Sequence, residues 1–192
     1  FFTDAEIYQL ANDRTYVAKS FTVTYSRPIV EHLQASVDFT LTDTGGTPGT
    51  PASSGTGEVL AQPASGSEFY YGLQLIGTGL LWDNDIYIIS GRYADTQRTS
   101  SQTVDFTARI PFSSTFRLSP RLRYGLRSSK LVDSNFSQFQ PTMRLNYYPM
   151  RDMELELELG ANFSSQRDNM AGLITTTSES GILVSAGYRL DF

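Results

Sequence analysis

The chain has no cysteine, one histidine (His32) and one tryptophan (Trp82). Without cysteine neither a disulfide framework nor a thiolate metal site can be built. Only 18% of residues are charged, yet no window approaches the run of roughly 18 uninterrupted apolar residues that a membrane helix needs. The net charge of -5 argues against a general nucleic-acid binder, which would carry a basic surface. The opening residues, Phe1 to Glu6, lack the basic and apolar regions of a signal peptide, so a signal has been removed or the chain begins partway along a longer protein.

What the chain does have is alternation, clearest in Met153–Phe163. Met153, Leu155, Leu157, Leu159, Ala161 and Phe163 fall on one side of an extended strand, and Glu154, Glu156, Glu158, Gly160 and Asn162 on the other. A helix, at about 3.6 residues per turn, would scatter the three glutamates among the leucines. One apolar face and one acidic face demand two different surroundings. In a soluble sheet the apolar parity faces a core; in an outer-membrane barrel it faces lipid, and the polar parity faces a wet lumen.

The same sorting recurs along the chain. A short helix is expected near 4–13, with Ile7, Leu10 and Ala11 at helical spacing, the leading segment 1–13 being a short helical segment or an outer loop. Strands are expected at about 15–27, 31–43, 68–80, 85–97, 103–112, 116–129, 136–148, the glutamate strand from 153, and 179–192. The fourth is ambiguous, because Ile86 and Ile88 oppose Tyr87, Ile89 and Tyr93. The sixth bears an arginine ladder, Arg117, Arg121, Arg123 and Arg127, opposite Phe116, Leu118, Leu122 and Tyr124; Arg144 lies on the polar parity of the seventh. Long loops are expected at 44–67, rich in Gly, Pro, Ser and Thr, and at 167–178, so that short and long connections alternate as periplasmic turns and extracellular loops do.

Taken together, residues 14–192 read as an all-β, antiparallel up-and-down transmembrane barrel with about nine visible strands. Nine is odd, whereas single-chain bacterial barrels usually have an even number, so the expectation is the C-terminal part of a larger barrel. Lumen-lining charges are then Glu154, Glu156, Glu158, Arg117, Arg121, Arg123, Arg127 and Arg144. They could set up a transverse field across a polar pore, or form an interior salt-bridge network that holds or plugs the wall.

Enzymatic signals are weak, and no cofactor or metal motif is present. A nucleophilic site would have to be built on His32 with Ser26 or Ser36, without a nucleophile elbow. Glutamates on adjacent rungs of one strand do not flank a bond from two sides as a glycosidase pair does. Asp83, Asn84 and Asp85 read as a turn, not a calcium loop. The Gly-rich run at 45–57 lacks the lysine and following helix of a phosphate loop.

Two resemblances sharpen this reading. The end of the chain, Ser185-Ala-Gly-Tyr-Arg-Leu-Asp-Phe192, resembles the terminal signal of outer-membrane barrels, with Ser185, Gly187, Leu190 and Phe192 at its positions. That resemblance implies outer-membrane lipid and the barrel-assembly machinery as partners, and the bacterial outer membrane as location. The run Ser-Arg-Pro-Ile, Leu-Gln-Ala-Ser-Val-Asp-Phe, Tyr-Tyr-Gly-Leu-Gln-Leu-Ile-Gly and Pro-Arg-Leu-Arg-Tyr resembles the C-terminal β-region of large proteobacterial proteins carrying tetratricopeptide repeats. These are similar in layout to exopolysaccharide-export porins, which implies an upstream periplasmic repeat domain. Two functions are therefore expected as alternatives: a charge-lined channel for hydrophilic solutes or polysaccharide, or a closed barrel that anchors a periplasmic or surface assembly.

Overall fold

A computed structural model describes residues 3–13, 15–49, 60–170 and 173–190. One helix, α1 (Asp4–Asp13), precedes nine strands: β1 (Ala18–Val30), β2 (Leu33–Thr44), β3 (Gly66–Thr78), β4 (Ile86–Asp95), β5 (Thr99–Pro111), β6 (Phe116–Ser129), β7 (Asp133–Met150), β8 (Met153–Met170) and β9 (Leu173–Leu190). Thr3 caps the helix reciprocally: its N–H donates to Glu6 Oε2 at 2.8 Å, and Glu6 N–H donates to Thr3 Oγ1 at 3.4 Å. Each strand pairs antiparallel with the next, in the order β1 to β9, so the nine form one up-and-down sheet. Among the described residues β1 and β9 are its edges, and the sheet is not closed.

Register preserves the alternation from strand to strand. Tyr124, Phe139 and Phe163 occupy one row, and Phe116, Tyr147, Leu155 and Tyr188 another, all on the apolar face. Arg144, Glu158 and Ser185 share a row on the opposite face. The apolar face has no dry interior behind it. Leu157 is 41% and Leu159 47% exposed, and Ala108 is the only fully buried apolar residue among the described ones. A soluble sheet with that much exposed leucine, tyrosine and phenylalanine would be an aggregation surface, whereas lipid is the solvent such a face requires.

Over β5 to β8, aromatic pairs mark two levels on this face. Near one end Phe116 stacks on Tyr147, with ring centroids 4.5 Å apart, and Trp82 lies against Phe112 at 5.9 Å. Eight residues further along β6 and β7, Tyr124 and Phe139 pair in register, and Phe139 stacks on Phe163 at 6.5 Å. A rise of about 3.4 Å per residue and a tilt near 40° put the two rows roughly 21 Å apart along the membrane normal, close to the apolar band of an outer-membrane barrel.

The expected loop at 167–178 does not exist as such. Residues 167–170 belong to β8 and 173–178 to β9, whose ladder runs unbroken from Met153↔Leu190 to Met170↔Leu173. Here both parities are polar, as in Ser164↔Glu179 and Ser165↔Ser178, which is why the stretch read as loop. Backbone pairing needs no apolar parity where both sides meet water. The connections after β4 and β6, residues 96–98 and 130–132, are short as well, so the expected alternation of short and long links fails. Only the β2–β3 connection is long. Its arms are joined by the bridge Thr47↔Gln62, and residues 50–59 of the expected loop 44–67 lie outside the described residues.

One turn has its own architecture. Between β3 and β4, Gly79 and Asn84 adopt φ of 64° and 65°, the left-handed conformation open to glycine and tolerated by asparagine. Asp85 is fully buried, and its carboxylate accepts from the N–H groups of Leu80 (2.8 Å), Leu81 (2.9 Å) and Trp82 (2.9 Å). Burial opposes ionisation there, but those three N–H groups outweigh it and hold the carboxyl below its ordinary range. The Asp83–Asp85 run is thus a turn, with its last carboxylate spent on backbone.

Candidate functional site: a charged wet face

The polar parity of the sheet carries most of the charge inside the strands. β4 to β6 contribute Arg92, Arg109, Arg117, Arg121, Arg123 and Arg127 against a single acid, Asp105. β8 and β9 contribute Glu154, Glu156, Glu158, Asp168 and Glu179 against Arg189. Arg144 of β7 stands between the two strips. Sign is therefore separated by strand across one face.

Local contacts show how far each strip is neutralised. Arg123 Nε donates to Asp105 Oδ1 at 2.6 Å, and Arg121 lies 3.9 Å from the same oxygen. Arg144 donates from Nε to Glu158 Oε2 at 2.9 Å and lies 3.4 Å from Glu156 Oε1. Arg117 reaches the acids indirectly: its Nη1 donates to Tyr148 Oη at 2.8 Å with the guanidinium 5.2 Å above the ring, and that hydroxyl donates to Glu154 Oε1 at 2.9 Å. Asn146 Nδ2 also donates to Glu154, at 2.7 Å. A recess of about 450 Å³ lies here, with Arg109, Arg117, Arg121 and Arg144 on its wall beside Glu154, Glu156 and Glu158. A second recess, about 340 Å³, continues along the face beside Arg121, Arg123, Gln140 and Asn162.

Of the residues singled out from the sequence, Arg117, Arg121, Arg144, Glu154, Glu156 and Glu158 converge on the larger recess. Arg123 shares their face and lines the second. Arg127 shares the face but stands at the far end of β6, in register with Ser101 and Phe136, away from the acids. The arginines of β6 do not pair directly with the β8 glutamates. Asp105 serves Arg121 and Arg123, and Tyr148 links Arg117 to Glu154; strand parity places these groups on the polar side, but the register between strands decides the contact.

Ser185 and Gly187 of the terminal motif lie opposite Glu158 and Glu156, and Leu190 opposite Met153, while Phe192 is outside the described residues. His32 sits in the β1–β2 turn, and its carbonyl accepts from Thr78 N–H at 2.9 Å. Ser26 Oγ accepts from Gln34 Nε2 at 2.7 Å. Ile76 and Ile88 pair in register on the wet face, with Ile86 next to them on β4, which resolves the ambiguous fourth strand: its polar parity carries an apolar island near the turn.

A nine-stranded antiparallel up-and-down sheet, apolar on its exposed face and charged on the other, has the fold of a bacterial outer-membrane β-barrel, and the outer membrane is the location that this fold and these faces fit. No helix among the described residues is long and apolar enough to cross a membrane. The likeness can be placed on a particular structure: OmpT (in-vitro folded), an outer membrane protein of Vibrio cholerae, superposes with a TM-score of 0.57 at 8% identity over 93% of this chain. The chain spans about 56% of the length of that structure. No protein-family model and no curated protein matches the sequence.

Proposed function

We propose that the chain forms part of the wall of a hydrated pore, through which hydrophilic solutes pass under the field of its separated charges, and that it acts by passage and not by catalysis. The observation that carries this reading is the sign separation on the wet face: six arginines on β4–β6 and five acids on β8–β9, bridged at the level of Arg144. A purely structural network would neutralise each charge with its nearest opposite partner. Instead, Arg109 and Arg117 face the recess without a carboxylate in ion-pair contact among the described residues. Exposed, partly compensated charges on facing strips orient dipolar and charged solutes in a lumen.

Two finer readings belong to this proposal. The first is that the nine strands are the C-terminal part of a larger barrel. β1 and β9 run in the same direction, so an entirely antiparallel closure takes an odd number of further strands. The second is that the resemblance of the β2, β3 and β6 sequences to the barrels of tetratricopeptide-repeat proteins favours polysaccharide among the solutes.

Planar-bilayer recording tests the pore directly. A steady open current is expected, with Arg121→Gln moving its selectivity toward cations and Glu156→Gln moving it toward anions. A folded, membrane-inserted protein that passes no current would replace this reading with that of a closed anchoring barrel.

A further inference from the structure

On the apolar face, immediately beyond the second aromatic row, the lipid-facing surface changes character within one rung. Tyr124, Phe139 and Phe163 are exposed and adjacent in register, with the Phe139 and Phe163 rings 19° from parallel. The next rung of the same face is Ser137, Ser165 and Ser178, joined by a Ser178 Oγ to Ser165 Oγ hydrogen bond of 3.5 Å. Aromatic floor and hydroxyl wall border an open recess of about 370 Å³, whose rim also includes Gln138, Ser164, Ser180 and one acid, Glu179 of the wet parity. One rung higher, on the same face, stands Arg167, exposed and outside every ion pair among the described residues. The nearest acid on that face, Asp133, accepts from Asn169 Nδ2 at 2.7 Å. Asp168 points to the wet face, where Ser134 and Gln166 hold it.

We propose that this recess binds the phosphorylated sugar head of an outer-leaflet glycolipid. The order of chemistries along the membrane normal is that of such a molecule: acyl chains against the leucines, ring faces against exposed aromatics, hydroxyls against serines, and phosphate against a guanidinium fork. The hydroxyl row spans three strands, about 10 Å at the usual strand spacing. That width suits a polyhydroxylated head and exceeds what a single phosphodiester of a phospholipid can occupy. The assignment rests on the membrane-barrel fold, with the end bearing the long β2–β3 connection facing outward; it does not depend on whether the pore conducts.

The test uses the full chain, folded in a mild detergent and titrated with diphosphoryl lipid A or with phosphatidylglycerol, with native mass spectrometry reading the bound mass. One lipid A per chain is expected, retained in preference to phosphatidylglycerol. Arg167→Gln should weaken retention about tenfold, the scale of one charge-assisted hydrogen bond. Phe163→Leu, which keeps the face apolar and the barrel foldable, should weaken it too, and Arg98→Gln, in the β4–β5 turn at the same end, should not. Equal retention of phosphatidylglycerol would reduce the site to a general anionic-lipid contact and overturn the proposal. So would lipid A binding that neither Arg167→Gln nor Phe163→Leu weakens.

Discussion

Arg144 donates from both Nε and Nη2 to one oxygen of Glu158, its direct cross-strand partner, and the same guanidinium lies 3.4 Å from Glu156. One cation thus serves two of the three glutamates that define β8. Replacing it with glutamine releases both carboxylates into the recess. The side chain is 47% exposed, so the stability cost should stay below about 1 kcal/mol, the scale of a solvated ion pair. The larger effect is expected in conduction, as a shift toward cations measured by reversal potential in a salt gradient. An unchanged reversal potential would remove Arg144 from the permeation path.

The apolar parity makes a sharper demand on energy. Leu157 lies one rung from the lower aromatic row and three from the upper, inside the band but below its middle. Leu157→Arg should cost about 1–3 kcal/mol in unfolding from lipid vesicles, between the interfacial and mid-depth values, since a guanidinium inside the apolar band must leave water or drag it in. Glu156→Gln, one residue away on the opposite face, should cost less than half as much. Equal costs at the two positions would mean that both faces meet the same solvent, which no membrane wall permits.

How much of this was legible beforehand follows from what each pattern encodes. Period-two sorting in Leu155–Phe163 and in the Arg117–Arg127 ladder revealed strands and faces, because one parity must meet lipid and the other water. Where both sides meet water that constraint vanishes, and Thr175 to Ser178 read as loop although their backbone pairs throughout with β8. The island of Ile76 and Ile88 blurred the fourth strand for the opposite reason, being apolar on the wet side. Ion-pair partners were not legible at all. Spacing along β6 cannot reveal that Arg123 lands opposite Asp105, because that depends on the register set by the Ser113–Thr115 turn.

Asp85 makes a pH-dependent prediction. Its carboxyl is held below its ordinary range in the folded turn, so ionisation favours the native state. That contribution is complete above the unfolded carboxylate range and is lost as pH falls through the lower, folded value. The turn 79–84 should therefore resist an acid-active protease at pH 5 and become cleavable at strongly acid pH, and Asp85→Ala should be cleavable at both. Protection of Asp85→Ala equal to that of the parent would show that the three N–H bonds do not organise the turn.

The single tryptophan supplies a depth gauge. Trp82 lies in that same turn, 45% exposed and against Phe112, at the level of the Phe116–Tyr147 row. The Leu80 side chain folds back over Gly77 of the apolar face, so the turn lies against the outer wall and not across the lumen. An indole at that level has its ring in the acyl region and its N–H among headgroups, the setting aromatic belts occupy. In vesicles with brominated lipids, bromines placed near the glycerol should therefore quench Trp82 more than bromines near the acyl terminus. Quenching by a water-soluble agent alone, with neither brominated lipid effective, would lift the turn out of the interface and with it the lower boundary of the apolar band.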